Sequence, residues 1–326
     1  MNQTKKYTVN FFILSFLLVS LFYLDVTRGL NLFQEKESIA DLEIFFQFRL
    51  PKALTALFAG AGLSLSGLLL QSLFRNPLVG PYVLGISSGA SLGVSLMILF
   101  GGYFSVPVLG MFGLSLAAIS GSLLMLFLVL FFAGFMKQKT SLLLIGIMLG
   151  QLTGAMQSLL DFIANPTELK SIFMWNMGSL DNVGWDEQIN FIVICSFCFL
   201  ISLFLIKPLD ALLLGEEYAV NLGVKIKKIR WMLLIVSGVL TGIITSLCGP
   251  IAFVGIAVPH ICRMWFATNR HVVILPAVLV SGAVFLLVAD LISCSFFSFI
   301  IPINVITSII GVPVIIALIL KTKNLN

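Results

Sequence analysis

Apolar runs long enough to cross a bilayer alternate with short polar breaks along almost the whole chain. A transmembrane α-helix needs about 20 predominantly apolar residues, and here 59% of the residues are hydrophobic while 10% are charged. The short alternating segments typical of a membrane β-barrel are absent from the sequence. The chain is therefore predicted to fold as an all-α polytopic membrane protein, with a single transmembrane domain over residues 1–326.

The apolar runs predict about ten transmembrane helices, and an even number places both termini on one side of the membrane. With the N-terminus inside, fourteen of the nineteen Lys and Arg residues lie in cytoplasmic segments and five lie outside. Because cytoplasmic loops carry an excess of Lys and Arg, both termini are predicted to be cytoplasmic and the chain to lie in the cell membrane. The predicted spans are residues 9–27, 53–73, 82–101, 106–136, 141–161, 188–206, 230–248, 251–267, 272–293 and 303–320.

The longest charged interval in the interior of the chain is the loop 207–230, between the sixth and seventh predicted spans. Glu216 and Glu217 begin a short helical pattern, where carboxylates suit the helix dipole. Gly223 follows Leu222 at the position of a left-handed C-cap. A helix of about two turns is too short to cross a bilayer. The basic residues after it place the loop in the cytoplasm, either as a solvated connection or as a docking surface for a soluble partner.

Arg49 and Lys52 flank Pro51 just before the second span, at the end of a loosely ordered outer segment that begins at Arg28. Pro51 is expected to break the chain there. A single basic residue at a span end is usually an anchor that extends to the membrane interface. Two such residues beside a proline also fit a docking patch for an acidic partner.

Small and uncharged polar residues recur at three- and four-residue steps in the second and fifth predicted spans. Small faces let helices approach closely, and amide side chains at this depth face protein or water rather than lipid. Interhelical packing and the lining of a pathway both remain open as roles. The residues are Gly60, Gly67, Gln71, Gly146, Gly150, Gln151, Gly154 and Gln157.

Two further features lie toward the predicted outer side. Asn165 before Pro166 indicates the cap of a short interfacial helix at about 165–180. Asp290 is an acidic residue well inside an apolar span, which makes it a candidate proton-coupling group. Its position near the outer end of the span favours a structural role, as the partner of a nearby polar group.

The sequence gives no sign of an enzyme, a metal site or a nucleic-acid-binding protein. No GK[ST] motif follows the Gly- and Ser-rich third span, so a nucleotide site is not expected. His260 and His271 have no carboxylate at ligand spacing, and Cys195 and Cys198 fit packing inside a span. No Ser/His/Asp set is recognised, and the basic residues are scattered among short loops rather than gathered on one face.

Several stretches, in order and spanning nearly the whole chain, resemble the FecCD family of permeases. These are the subunits of binding-protein-dependent ABC importers for iron-siderophores, haem and cobalamin. The matching segments are RLPKALTALFAGAGLSLSGLLLQSLFRNPLVGPYVLGISSGASLG (49–93), LLLGEEYAVNLGV (212–224), GPIAFVGIAVPHICR (249–263), LPAV and VAD (within 275–290), and PINVITSIIGVPVIIALIL (302–320).

The resemblance implies ten spans per subunit and a pair of permeases, here a homodimer, around a central pathway for a metal-chelate. It implies short coupling helices in 207–230 that contact a cytoplasmic ABC ATPase dimer through Glu216, Glu217, Leu222 and Gly223. ATP and Mg²⁺ would be bound by that ATPase, and no cofactor by this chain. The rival hypothesis is a stand-alone secondary transporter that uses Asp290 for proton coupling.

The resemblance also implies an extracytoplasmic binding protein whose acidic residues pair with basic residues of the permease. Arg49 and Lys52 match an RLPR pattern, with Lys in place of the second Arg. The chain departs from the family at Cys294, where an ADxxAR pattern has Arg, and at 300–304, where an ELPVG pattern usually stands. The third basic docking contact is therefore missing from the sequence.

Overall fold

The computed structural model describes residues 3–28, 39–101, 110–136, 138–295 and 301–323, and the secondary structure in these residues is helical throughout. A π-helical turn, Phe45–Arg49, precedes α3, and a 3₁₀ turn, Pro81–Leu84, precedes α4. The α-helices are α1 (Gln3–Thr27), α2 (Ile39–Ile44), α3 (Leu50–Phe74), α4 (Ile86–Phe100), α5 (Gly110–Phe135), α6 (Lys139–Ile163), α7 (Pro166–Asn176), α8 (Trp185–Phe204), α9 (Ile206–Leu214), α10 (Glu216–Asn221), α11 (Ile226–Cys248), α12 (Val254–Phe266), α13 (His271–Ser295) and α14 (Ile303–Lys323).

Seven segments within the described residues are long and apolar enough to cross a membrane, and they fall on α1, α3, α5, α6, α8, α11 and α13. Three shorter apolar helices, α4, α12 and Ile303–Ala317 of α14, bring the apolar helices in this part of the chain to ten. With 13 residues at about 1.5 Å per residue, α12 is shorter than a bilayer is thick. The prediction of an all-helical polytopic protein with about ten spans is confirmed.

Helix α3 forms the centre of the bundle and is buried along most of its length. Its small residues face other helices at backbone contact distance. A Cβ atom added to Gly60 would lie 2.2 Å from the carbonyl oxygen of Gly282 in α13, and one added to Gly67 would lie 1.8 Å from that of Gly255 in α12. The packing role predicted for Gly60 and Gly67 is thus what the structure shows.

The chain does not break at Pro51, contrary to the sequence prediction. The π-helical turn continues directly into α3, and the N–H of Leu50 donates to the carbonyl oxygen of Phe45. Pro51 lies in the first turn of α3, where a residue without an N–H is tolerated. Residues 39–49 are therefore helical, and residues 29–38 of the predicted loose segment lie outside the described part.

Helices α7, α9 and α10 are short and lie between longer ones. Helix α7 begins with the predicted cap, because Asn165 accepts from the backbone of Thr167 and Glu168 while Glu168 accepts from the backbone of Asn165. Helices α9 and α10 are joined at Gly215, which has φ of 127°. The predicted short helix at Glu216 is α10. We call the end of the bundle that carries α9 and α10 the coupling end, and the opposite end, where α3 begins, the Lys52 end.

Candidate functional site

The exposed surface of α9 and α10 is apolar, although it lies at a bundle end rich in charge. One face of the pair is buried, with Leu209, Leu212 and Ala219 inside. The rest of the pair is solvent-exposed in the single chain and carries large apolar side chains beside the charged Lys207 and Glu217, and exposed apolar side chains of this size indicate a candidate interaction site. Its large side chains are at least half exposed and comprise Leu213, Leu214, Tyr218, Val220 and Leu222.

Three of the four predicted coupling residues are exposed, and the fourth, Glu216, is partly exposed and paired with neighbouring helices. Glu217, Leu222 and Gly223 are exposed, and Gly223 has φ of 82°, which favours glycine after the helix end. Glu216 pairs with Lys139 at the start of α6, with 2.8 Å between Oε1 and Nζ. Arg230 of α11 lies 4.0 Å from the same oxygen. Glu216 therefore fastens α10 to two long helices.

The ionised state of Glu216 is favoured by its basic neighbours. Partial burial opposes ionisation, but the hydrogen bond and charge of Lys139, followed by the charges of Arg230 and Arg75, hold the pKa of Glu216 below its ordinary value. A depressed carboxyl pKa stabilises the folded contact at pH values above the ordinary pKa. That stabilisation is lost as the pH falls through the lowered value, so the contact is charged at neutral pH.

A cleft of about 870 Å³ opens between α10 and the connection from α5 to α6. Gln138 and Lys139 line one side, and Glu217, Tyr218 and Asn221 line the other. The cleft and the apolar face of α10 are adjacent, since Tyr218 contributes to both. Together they form a surface with a groove, suited to a protein partner.

A Ser, a His and an Asp that are distant in sequence form a hydrogen-bonded line at the coupling end. Asp210 Oδ1 in α9 lies 2.8 Å from Nδ1 of His271 and also accepts the backbone N–H of His271 at 2.7 Å. His271 Nε2 lies 3.0 Å from Oγ of Ser72 in α3. Such a set cannot be recognised from the sequence, because its three residues lie on three separate helices.

Ser72 is also held within its own helix. The Ser72 hydroxyl also donates to the carbonyl oxygen of Leu68 within α3, at 2.8 Å. Backbone N–H groups inside a helix are already hydrogen-bonded, so the neighbourhood of Ser72 in α3 offers no ready oxyanion hole. The arrangement instead connects α9 to α13 and α3.

At the Lys52 end, the predicted docking residue Lys52 is buried in an ion-pair cluster. Its Nζ lies 2.9 Å from Asp181 Oδ1 and 3.2 Å from Asp290 Oδ1, and its side chain is 10% exposed. The ammonium group is thus already paired within the chain, and the docking role of Lys52 stays a prediction. Arg49, one turn earlier, is partly exposed.

Asp290 is paired with a basic side chain of another helix, as its predicted structural role requires. It lies in α13 and joins α13 to α3 through Lys52. Asp25, near the end of α1, is also buried. An unpaired carboxylate at this depth would be costly, and the ion pair offsets that cost.

Arg28 occupies the neighbourhood of Cys294, the position where the family pattern has Arg. Its guanidinium donates to the carbonyl oxygen of Leu291 at 3.1 Å and to that of Cys294. The Cys294 thiol lies 3.4 Å from Lys52 Nζ. A cation is thus present beside position 294, but it comes from the end of α1 and binds the end of α13.

The candidate pathway residues of α6 separate into two groups. Gly146 and Gly150 approach the chain around Leu84 and Gly85, and Gln157 Nε2 donates to Ser95 Oγ at 2.6 Å and to Asp161 Oδ1 at 2.9 Å. Gly146 and Gly150 therefore pack against the chain around Leu84 and Gly85, and Gln157 connects α6 to Ser95 of α4. Gln151 and Gly154, in contrast, are exposed in the single chain.

Gln71 connects two helices inside the bundle. Its Oε1 accepts from Arg263 Nη1 at 2.6 Å, and its Nε2 donates to the carbonyl oxygen of Gly255 at 3.3 Å. It is nearly completely buried. Gln71 therefore ties α3 to α12 beside the Gly67 contact.

The described residues contain no group of three or more His, Cys, Asp and Glu side chains arranged to hold a metal ion. The cysteines predicted to be packing residues, Cys195 and Cys198, are buried free thiols in α8.

Comparison with known proteins places the chain among importer permeases. The FecCD transport family matches residues 8–321. The chain is 39% identical over 282 residues to the molybdate import system permease protein MolB of Haemophilus influenzae, covering 86% of this chain and 82% of the relative. It is 37% identical over 283 residues to the vitamin B12 import system permease protein BtuC of Klebsiella pneumoniae, covering 85% and 82%.

A solved structure of a metal-chelate type ABC transporter in an inward-facing conformation shares the fold. The TM-score is 0.85 at 36% sequence identity, and the match covers 95% of this chain and 98% of the other. The family match spans nearly all of the helices described above, from α1 to α14. The chain therefore belongs to the FecCD transport family and is an ABC importer permease.

Proposed function

We propose that this permease carries a metal-chelate across the cytoplasmic membrane, as one of two identical copies driven by an ATPase at the coupling end. The cargo class is supported by the likeness to a metal-chelate type transporter and to a vitamin B12 permease. The coupling end is supported by the exposed apolar face of α9 and α10 beside an open cleft. That face is the observation on which the proposal mainly rests.

The cargo has a second candidate, a molybdenum oxyanion, because the relative with 39% identity is a molybdate permease. The two classes differ in size and charge, so they are separable by competition. Purified binding protein from the same operon, titrated with molybdate and with ferric and cobalt chelates, distinguishes them. Tight binding of a chelate supports our proposal, and tight binding of molybdate alone contradicts it.

The exposed part of α6 supports a pathway between two copies. An uncharged amide such as Gln151 is costly to leave against lipid and faces protein or water instead. Gly154 is beside it, and no described atom lies within 4 Å of where its Cβ would be. A second copy packed across this region would cover the polar face and enclose a pathway along α6.

The proposed coupling route uses four residues in two ways. Glu217, Leu222 and Gly223 contact the ATPase directly, whereas Glu216 holds α10 in place through Lys139 and Arg230. On the other side, a binding protein would dock at the Lys52 end, with Arg49 as the available cation. The ATPase holds ATP and Mg²⁺, and the permease moves by population shift between two packed states.

Glu216→Lys is expected to weaken association with the ATPase and to lower coupled ATP hydrolysis. The new cation would face Lys139 and Arg230, and repulsion in place of attraction would release α10 from α6 and α11. Co-purification in mild detergent and ATPase rates in nanodiscs measure the effect.

Glu217→Lys is the matched control, because it makes the same charge change on the exposed surface one residue away. It should leave the attachment of α10 to α6 and α11 intact and alter only the contact between residue 217 and the ATPase. Its effect on association and hydrolysis should therefore be smaller and more salt-sensitive. Unchanged ATPase association and hydrolysis in Glu216→Lys would contradict the proposal that Glu216 holds α10 in place through Lys139 and Arg230.

A further inference from the structure

The Asp210–His271–Ser72 line joins a helix of the coupling end to α13 and α3, which are closely packed against each other. Asp210 is in α9, His271 is the first residue of α13, and Ser72 lies in the last turn of α3. Asp210 holds both the backbone and the ring of His271. Arg75, just after α3, adds a second link by donating to the carbonyl oxygen of Leu212 in α9 at 2.6 Å.

Helices α3 and α13 are themselves tied along their whole length. In the middle, the Gly60 and Gly282 backbones are in contact, and Ser64 Oγ donates to the carbonyl oxygen of Val278 at 3.0 Å. At the far end Lys52 pairs with Asp290. Tight packing without voids transmits displacement rather than absorbing it, so α3 and α13 behave as one rigid pair.

The rigid pair reaches from one end of the bundle to the other. Helix α3 has 25 residues, which at 1.5 Å per residue gives about 37 Å. At the Lys52 end the same lysine also contacts Asp181, in the segment between α7 and α8. A force applied at α9 therefore has an unbroken set of contacts to the opposite side of the membrane.

We propose that Asp210, His271 and Ser72 are positioning residues that transmit the movement of α9 to the α3–α13 pair, separately from the contact that α10 makes with the ATPase. This inference rests on the proposed function. It gives α9 a task beyond the docking face that it shares with α10: α9 also moves the core. Coupling travels through rigid elements and hydrogen-bond networks when both sites bias the same two-state element.

All three nitrogen atoms of His271 have partners within this link. His271 is 2% exposed and uses both ring nitrogens and its backbone N–H. A hydrogen bond at this depth fixes geometry strongly, since leaving a buried partner unpaired is costly. Loss of the Asp210 carboxylate would release the N-terminus of α13 from α9 while leaving the exposed face of α10 unaltered.

The test uses the full complex of permease and ATPase in nanodiscs. Gln151→Cys, in a Cys294→Ser background, reports the state of the bundle through its labelling rate with a membrane-impermeant maleimide. The rate is compared between the nucleotide-free complex and the complex trapped with ATP and vanadate. Asp210→Ala is expected to keep ATPase co-purification and basal ATP hydrolysis but to lose the change in labelling rate.

Asp210→Asn should retain much of that change, because the amide oxygen can still accept from the His271 backbone and ring. This rescue separates a positioning role from a general loss of stability. If Asp210→Ala does not fold, Ser72→Ala removes a single hydroxyl from the other end of the link. Its control is Ser202→Ala, since Ser202 is also buried and donates within its own helix at 2.8 Å.

Persistence of the full labelling change in both Asp210→Ala and Ser72→Ala would overturn the inference. An equal loss in Ser202→Ala would also overturn it, because the effect would then be one of general packing. A parent complex that lacks the ATPase, or that shows no labelling change, would instead count against the proposed function. The two failures are therefore distinguishable.

Discussion

Lys52→Met is expected to destabilise the folded protein by about 3–5 kcal/mol, the cost of leaving a buried charge without its partner. Lys52 is held between Asp181 and Asp290, and Asp290 is 4% exposed. Methionine has a similar length but no charge, so the carboxylate of Asp290 would lose its counter-ion inside the bundle. Unfolding in mixed micelles with a denaturant measures the loss.

The matched control is the double variant Lys52→Met with Asp290→Leu. Removing both charges leaves no unpaired group, and replacing a buried ion pair with apolar side chains is often neutral or stabilising. The double variant should therefore be more stable than Lys52→Met alone, and the difference is the coupling energy of the pair. Wild-type stability in the single variant would show that Lys52 is not the internal partner of Asp290.

Gly67→Leu is expected to prevent normal packing of α3 against α12. The added Cβ would lie 1.8 Å from the carbonyl oxygen of Gly255, and backbone of a neighbouring helix cannot move aside as a flexible side chain can. Overpacking in a close-packed interior typically costs about 1–3 kcal/mol of stability. The cost of Gly67→Leu is expected at or beyond the upper end of this range, because the clash is with backbone. Yield in detergent and the thermal unfolding midpoint report the effect.

Gly154→Leu is the control for helix propensity and added bulk. Gly154 is in the middle of α6, and no described atom is within 4 Å of its Cβ position. Leucine also has a better helix propensity than glycine, so this variant should fold as well as the parent or better. Equal behaviour of Gly67→Leu and Gly154→Leu would contradict the close approach of α3 and α12.

The helices and their number were accessible from the sequence because they depend on local composition. Span length and the distribution of Lys and Arg predicted about ten apolar helices, and α10 was recognisable from Glu216 and Gly223. The close approach at Gly60 and Gly67 was also predictable, since small residues at helical spacing have few other uses inside a membrane.

The pairing of distant polar residues was not accessible in the same way. Lys52 and Asp290 are 238 positions apart in the chain, and nothing local to Lys52 distinguishes an internal ion pair from a docking cation. Ser72, Asp210 and His271 were individually unremarkable, since hydrogen bonds across helices depend on which faces meet. Asn10 and Asp25 in α1 were likewise missed, although a buried polar residue in a span is itself a signal.

The prediction that the chain breaks at Pro51 was wrong for a local reason. Proline interrupts a helix when it lies in the interior. In the first turn, however, the backbone N–H groups have no intrahelical acceptor, so a proline there removes no hydrogen bond. Position within the helix decides the effect of the proline.

The central claim is that the ATPase docks on the exposed face of α10, and site-specific photo-crosslinking tests it most directly. A benzophenone amino acid introduced at Leu222, which is 59% exposed, should form an adduct with a soluble ATPase that carries a Walker motif. The same group at Phe173 of α7, which is 57% exposed and belongs to the Lys52 end, should form none. An ATPase adduct from Phe173 and none from Leu222 would contradict the assignment of the coupling end.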